Sequence, residues 1–503
     1  MDGVPPLCYN SAMQERIVPT LRCILEAASL LREDATLLAA VSGGADSVAM
    51  IHAAAALRQE EGFRLAAVHV EHGLRGAGSQ EDANFVTALC GELGVPLRVY
   101  HARLSGGMDG PGTEDRARRA RRAFFQTSMG DLQADALLLA HHRDDQAETI
   151  LMRLLRGAGT AGLGGMRATT PFGGGVLLRP FLSIPREELL SALQRNGLTY
   201  REDPSNSEPC CLRNQLRLQA MPLLTACQPK ASQHMAQTAM QLQWDEDCLG
   251  AMAAENLRAA QITWPGACAL RCDLLKPLPQ AILLRVLRMW VHEACNSILP
   301  RLAGGSAPGG AGYQTAALPS ERALSLTDSL RLYHLVLERG RMNLPQGLLA
   351  ARTGSFLHLM RQDGSPLEPF QDMTPLGVLP RSGEYCLGPH IFQLKFFGGQ
   401  PFSAGLGCTA LPLSPALLSH NPVLRYPQPG DRFHPFGASG SKTLRRYFTD
   451  RKVDRPFRAA WPVVAMGSDV LWVAGVGAGE ASRFPNNAQN LWALQSPANL
   501  PYL

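Results

Sequence analysis

Nowhere in this sequence do about 18 uncharged apolar residues follow one another, so no stretch reads as a membrane-spanning helix. Residues Met1–Arg16 include an early Asp2 and no apolar core of signal-peptide length, and the expectation is a soluble, cytoplasmic protein. The 12 cysteines contain no Cys-x-x-Cys pair. Their tightest groupings, Cys210-Cys211 and Cys268/Cys272, lack the spacing of a zinc or iron–sulfur site, which leaves free thiols in a reducing compartment. There is no G-x-x-x-x-G-K-[ST] string, which disfavours a Walker-type NTPase, and no repeat of fixed period. Net charge is only +5. The positions of the basic residues therefore matter more than their total.

What is present is ordinary globular composition, 46% apolar and 18% charged, over 503 residues, enough for two or three domains. From about Asp34 to Leu224 short apolar runs alternate with helical stretches. The runs Thr36–Val41, Arg64–Val70, Leu97–His101 and Asp135–Ala140 lack polar alternation, as strands buried on both faces should. Ser47–Gln59, Gln80–Glu92, Thr113–Gln126 and Gln146–Arg156 read as helices, and another starts at Pro185 and stops at Gly197. The expected fold is α/β. A Rossmann-like parallel sheet with covering helices fills 1–228, a mainly helical region 229–410, and a small mixed α/β domain 411–503. The Gly-, Ala- and Pro-rich stretch Arg301–Pro319 reads as a linker, and the strand-like runs of Pro345–Leu394 do not assemble into a pattern.

The chemistry starts at Val41-Ser42-Gly43-Gly44-Ala45-Asp46-Ser47, between the first strand and the helix after it. Backbone N–H groups and the helix dipole make that position an anion site. Gly43 and Gly44 let a phosphate approach, Ser42 and Ser47 offer hydroxyls, and Asp46 is the candidate Mg²⁺ ligand. A plain Gly-Gly turn capped by Asp46 is the bland alternative. Gly157-Ala158-Gly159-Thr160-Ala161-Gly162 matches G-x-G-x-x-G but follows a helix rather than a strand, and reads as a flexible loop. His141-His142-Arg143-Asp144-Asp145-Gln146-Ala147-Glu148-Thr149 follows the Asp135–Ala140 strand and opens a helix, with Asp145 and Glu148 at capping-box spacing. Two His and two Asp at the C-terminal end of a strand lie where open α/β sheets bind ligands.

The Ser-Gly-Gly-x-Asp-Ser string resembles the PP-loop of N-type ATP pyrophosphatases. The His-His-x-Asp-Asp-Gln-x-Glu-Thr string, with Arg153-Leu154-Leu155-Arg156-Gly157 and Gly162-Leu163, resembles the signature of tRNA(Ile)-lysidine synthetases. Further resemblance lies in His72–Arg75, Glu114-x-x-Ala117-Arg118-x-x-Arg121, Arg179-Pro180, Glu202–Asn206 and Arg213-Asn214-x-x-Arg217, so that it spans roughly 35–225. Gln428–Phe433 and Gly440–Leu444 resemble the C-terminal domain of the longer members. Arg122 departs from the family, which has an aromatic residue there.

That resemblance implies transfer of AMP from ATP to the C2 oxygen of the wobble cytidine of an isoleucine tRNA with a CAU anticodon. The ε-amine of free lysine then displaces AMP to leave lysidine. It implies ATP and Mg²⁺ as cofactors and leaves assembly as a homodimer open. Asp145 is the first candidate for lysine or metal handling, followed by His142 and Asp144, while Arg213 and Arg217 are either ATP contacts or solvated. Two basic runs are candidate RNA surfaces. One is the predicted helix carrying Arg118 and Arg121. The other is Lys442–Arg458, with Lys442, Arg445, Arg446, Arg451 and Lys452, where interleaved Tyr447, Phe448 and Phe457 are expected to stack on bases. A tRNA thiolase of the same superfamily, or a tRNA-binding protein without catalysis, is the rival reading. Paired cysteines would favour the first and a damaged loop the second; the sequence has neither.

Overall fold

The structure is a computed structural model. It describes residues 13–71, 77–101, 113–202, 211–264, 267–297, 324–363, 367, 373–375, 382–387, 390–397, 409–483, 491–496 and 500. His72–Arg75, Asp203–Asn206 and the Arg301–Pro319 stretch lie outside the described residues. The chain divides into two compact units at Cys248/Leu249, inside the helix Ala231–Ala260.

In the first unit, strands β1 (Thr36–Ala40), β2 (Arg64–Glu71), β3 (Leu97–His101) and β4 (Ala136–Leu138) fall on the four apolar runs of the sequence. A hairpin of β5 (Thr169–Phe172) and β6 (Gly175–Leu178) completes a six-stranded sheet of order β3-β2-β1-β4-β6-β5. All neighbours are parallel except β5 with β6. The hairpin escapes sequence reading because each strand has four residues. Its turn rests on Gly173 and Gly174, both at positive φ (59° and 90°), as a tight hairpin turn requires.

The helices are α1 (Val18–Ala27), α2 (Ala45–Glu61), α3 (Ala77–Glu92), α4 (Thr113–Asp131), α5 (Arg143–Leu155), α6 (Thr160–Leu163) and α7 (Arg186–Arg195). Leu37, Ala39, Leu65 and Ala67 meet α1, α2, α3 and α7 on one face of the sheet. Leu38, Val68 and Leu137 meet Phe125 and Met129 of α4 on the other. Because both faces are covered, the strands read as continuous apolar runs. Helix α4 is divided along its length: Arg116, Arg118, Arg119, Arg121 and Arg122 are exposed, while the next two turns pack on the sheet. The G-x-G-x-x-G stretch is not a loop throughout: Gly159 caps the single turn α6.

The second unit carries the long helices expected of the middle region, and between them a sheet that could not be assembled from the sequence. Its order is Gln261–Trp264, Ala267–Arg271, Phe356–Arg361, Leu348–Thr353, Gly340–Leu344, all antiparallel. Trp290, Leu283 and Leu287 of Gln280–Ser297, with Leu332 and Val336 of Leu326–Leu337, are in its core. The C-terminal part is a mixed α/β module centred on Val463–Met466 and Asp469–Val473, with Trp461, Trp472, Phe433 and Phe457 buried. Trp264 lies 5.0 Å from Trp461 and Phe356 meets Phe457 edge-on at 5.0 Å, so the middle sheet and the C-terminal module share one core. Within the module, Arg425 grips Asp431 through two 2.9 Å bonds with both side chains buried. This pair fixes the Gln428–Asp431 turn, whose Gly430 sits at φ 93°. The Gln428–Phe433 motif is thus explained by a turn.

Candidate active site

The strand order reverses between β1 and β4, and in open α/β sheets ligands bind in the crevice that this reversal opens at the C-terminal strand ends. The two strings singled out in the sequence leave those two ends. After β1, the loop turns through Gly43 at φ 90°, where a Cβ would press on Val86 and Phe85 at 3.3 and 3.4 Å; only glycine suits it. Gly44 is the N-cap of α2 and supplies no side-chain cap, which leaves the first-turn N–H groups of α2 open to an anion. The Ser47 hydroxyl donates to Gly44 O at 2.8 Å and accepts from Ser42 N at 3.2 Å, while Ala45 is buried, so the loop is held in shape from within. Arg201 N donates to Gly43 O at 2.9 Å and braces it from outside.

Asp46 stands in the first turn of α2, with Oδ1 buried and without a hydrogen-bond partner among the described residues. Burial holds its carboxyl above the usual range, against the pull of His142 and Arg186, whose Nε is 4.0 Å away.

After β4, His142 is the N-cap of α5. Its Nδ1 accepts from Asp144 N at 3.2 Å and Asp145 N at 3.3 Å, and Asp145 Oδ2 accepts from His142 N at 3.1 Å. The capping box is therefore His142 with Asp145, not Asp145 with Glu148, and the helix starts three residues earlier than the apolar periodicity indicates. With Nδ1 taken up by these backbone groups, Nε2 is the ring nitrogen that faces the carboxylates. That nitrogen lies 3.7 Å from Asp46 Oδ2 and 3.4 Å from Asp145 Oδ2. Asp144 takes a supporting position, its Oδ2 accepting from Arg186 N at 3.0 Å. Burial lowers His141 to about 4, so its ring is neutral at physiological pH.

Glu148, one turn beyond Asp145, is buried. Arg213 Nε donates to Glu148 Oε2 at 2.8 Å and its Nη2 to Asp145 Oδ1 at 3.0 Å. Arg217 Nε reaches Glu148 Oε1 at 2.6 Å and its Nη2 Asp145 Oδ1 at 3.1 Å. Burial acts to raise the Asp145 carboxyl, but His142 and Arg213 outweigh it and hold it below the usual range. Two carboxylates thus engage Arg213 and Arg217, which stay about a third exposed. Sequence reading missed Glu148 and Arg186 as site residues. Glu148 was visible three residues after Asp145, but its match to a cap signal disguised it.

Of the RNA candidates, Arg118, Arg121, Arg445, Arg446, Arg451 and Lys452 are exposed, while Lys442 is paired with Asp450 at 2.8 Å. Tyr447, Phe448 and Phe457 do not stack on bases: they are at most 2% exposed and belong to the core of the C-terminal module. Tyr447 and Phe448 mark the buried face of the helix Leu444–Asp450.

A glycine loop opening a helix, an acidic group in its first turn and a second acidic cluster across the switch point define an ATP-using enzyme of the PP-loop class. Residues 13–224 match the PP-loop domain family, and 423–495 match the TilS substrate C-terminal domain. A tRNA(Ile)-lysidine synthase of Geobacter sulfurreducens is 32% identical over 461 residues, 90% of this chain and 91% of its own. That of Geobacillus kaustophilus is 30% identical over 477 residues, 92% and 95% respectively. That of Pseudomonas aeruginosa is 41% identical over 284 residues, 55% of this chain and 63% of its own. The chain belongs to the tRNA(Ile)-lysidine synthase family.

Proposed function

We propose that this chain joins free lysine to C2 of the wobble cytidine of an isoleucine tRNA with a CAU anticodon, consuming ATP and releasing pyrophosphate and AMP. The observation that carries the reading is the His142 ring, which lies between Asp46 of the glycine loop and Asp145 of the arginine-bound carboxylates. That adjacency supports AMP formation and amine attack taking place side by side.

In the first half-reaction the cytidine O2 attacks the α-phosphorus of ATP and the bond to the β-phosphate oxygen breaks. The open first-turn N–H groups of α2 stabilise the charge that grows on pyrophosphate. The buried Asp46 Oδ1, without a hydrogen bond among the described residues, fits a divalent cation, and Mg²⁺ asks for only one or two carboxylates when phosphates supply the rest. Bound there, the ion supplies charge compensation for the leaving group.

In the second half-reaction the ε-ammonium passes a proton to a carboxylate of the Asp145–Glu148 pair, the freed amine attacks C2, the C2–O2 bond breaks, and AMP leaves with the oxygen. Asp145 and Glu148 suit the ammonium groups of lysine, and Arg213 and Arg217 its carboxylate. The present pairing among these four keeps them aligned until lysine exchanges into it. Exposed Arg118, Arg121, Arg445, Arg446, Arg451 and Lys452 supply contacts to the RNA backbone.

The test is the purified chain with ATP, Mg²⁺, isoleucine tRNA and labelled lysine. Label in the RNA with stoichiometric AMP is the expected result. Equal ATP consumption with and without lysine, and no label in the RNA, would point to a sulfur transferase or another modification and overturn the reading.

A further inference from the structure

Four arginines gather at the β6–β5 edge of the first unit's sheet, outside the crevice groups described above. Arg179 directly follows β6, and its Nη1 donates to Thr170 Oγ1 at 2.9 Å and Arg167 O at 2.8 Å. Arg122 lies over the Phe172 ring at 4.9 Å. Thr170 and Phe172 are two apart on β5 and therefore share a face of the hairpin, so Arg179 and Arg122 meet on that face. Arg118 is one turn before Arg122 on α4, and Arg153 donates to Gly162 O and Gly165 O at 2.7 and 2.8 Å.

Among the described residues, Arg153 and Arg179 donate only to backbone carbonyls and a threonine hydroxyl. Among the described residues none of them has a carboxylate partner, and Arg179 Nε is buried with no partner at all. Burial lowers Arg179 to about 10, and the charges of Arg118, Arg153 and Arg122 push it the same way. Four cations held together with no counter-charge among the described residues repel one another, and an anion relieves that repulsion.

We infer that Arg118, Arg122, Arg153 and Arg179 form a binding site for a phosphodiester of the RNA backbone adjoining the reacting nucleotide. The inference rests on the proposed tRNA reading and adds to it the place where the strand is gripped. The choice of RNA over the triphosphate of ATP follows from the strand order. The glycine loop leaves β1, the His pair leaves β4, and the arginines flank β6 and β5, on the side of β4 away from β1. A nucleotide reacting above β4 has ATP on one side and this cluster on the other. The guanidinium at position 122 is thereby accounted for as a charge that an aromatic ring would not bring.

Full-length chain carrying Arg118→Gln and Arg122→Gln, both exposed positions, tests the inference by tRNA binding across a salt series without ATP. Each phosphate no longer neutralised should flatten the log–log salt slope by about 0.7–0.9, so the pair should lose roughly 1.5 and bind about tenfold more weakly at low salt. The Arg118→Lys, Arg122→Lys pair keeps the charge and should keep the slope. ATP affinity of both should match wild type. An unchanged tRNA slope in the Gln pair overturns the inference, as does a loss confined to ATP affinity, which would reassign the cluster to the triphosphate. Wild-type lysine incorporation, measured in parallel, reports separately on the proposed function.

Discussion

Asp46 and Asp145 flank one imidazole, and their surroundings pull their acidities in opposite directions. Asp46, half-buried with its Oδ1 lacking a hydrogen bond among the described residues, rises; Asp145, held by His142 and Arg213 against its own burial, falls. Such divergence marks groups with different tasks. Asp46→Ala should abolish ATP-dependent chemistry, by about 100-fold or more, while the protein stays folded. Unchanged turnover would remove the glycine loop from the mechanism. Asp145→Asn keeps shape and most hydrogen bonding but removes the charge that answers Arg213 and Arg217. Lysine transfer should collapse while adenylated tRNA still forms and accumulates in a quench assay. Failure of adenylation as well would show that Asp145 serves the metal and not lysine.

At the scale of elements, two helices show how one composition serves different ends. In α4 the arginines precede the apolar turns, so the basic half is exposed and meets the sheet only where Arg122 covers Phe172 among the described contacts. In Leu444–Asp450 the residues Leu444, Tyr447 and Phe448, three and four apart, share one face, so the helix seals the core with it and offers Arg445 and Arg446 to solvent. Thr443 caps it by accepting from Arg446 N. Neutralising Arg445, Arg446, Arg451 and Lys452 together should weaken tRNA binding and flatten its salt dependence, by up to roughly 0.9 for each backbone phosphate that these side chains neutralise. ATP affinity should not move, because the glycine loop belongs to the other unit. A wild-type salt slope would make this run a merely solvated face.

For the molecule as a whole, acid is the weak side. His358 is 1% exposed, packs edge-on to Phe457 at 5.1 Å and has neither ring nitrogen hydrogen-bonded among the described residues. Burial lowers it to about 3 and lowers His52, a buried residue of α2 in the first unit, to about 4. A histidine depressed in the folded state favours folding fully above its unfolded value near 6.5. As pH falls from there toward 4 and then 3, the unfolded chain binds protons that the folded one refuses, and stability is lost. The two together should lower the melting temperature steadily from about pH 7 to about pH 4.5. His358→Leu should flatten that dependence; a melting temperature that stays level or rises on acidification would contradict the assignment.

The sequence alone determined whatever rests on local spacing. β1 to β4 were legible because burial on both faces leaves continuous apolar runs, and the glycine loop because only Gly43 suits its backbone. Both strings that build the crevice were legible because each directly follows a strand. Tertiary structure decided what depends on partners distant in sequence. Arg213 and Arg217 turn to carboxylates 65 to 72 residues away. The same holds for the five-stranded middle sheet, whose first and last strands are separated by the whole stretch from Trp264 to Gly340. It also decided that Tyr447, Phe448 and Phe457 are core. An aromatic residue among arginines reads the same whether it faces solvent or the interior; only packing against Trp461 and Phe433 removes the ambiguity, because burial is a property of the whole folded chain and not of a segment.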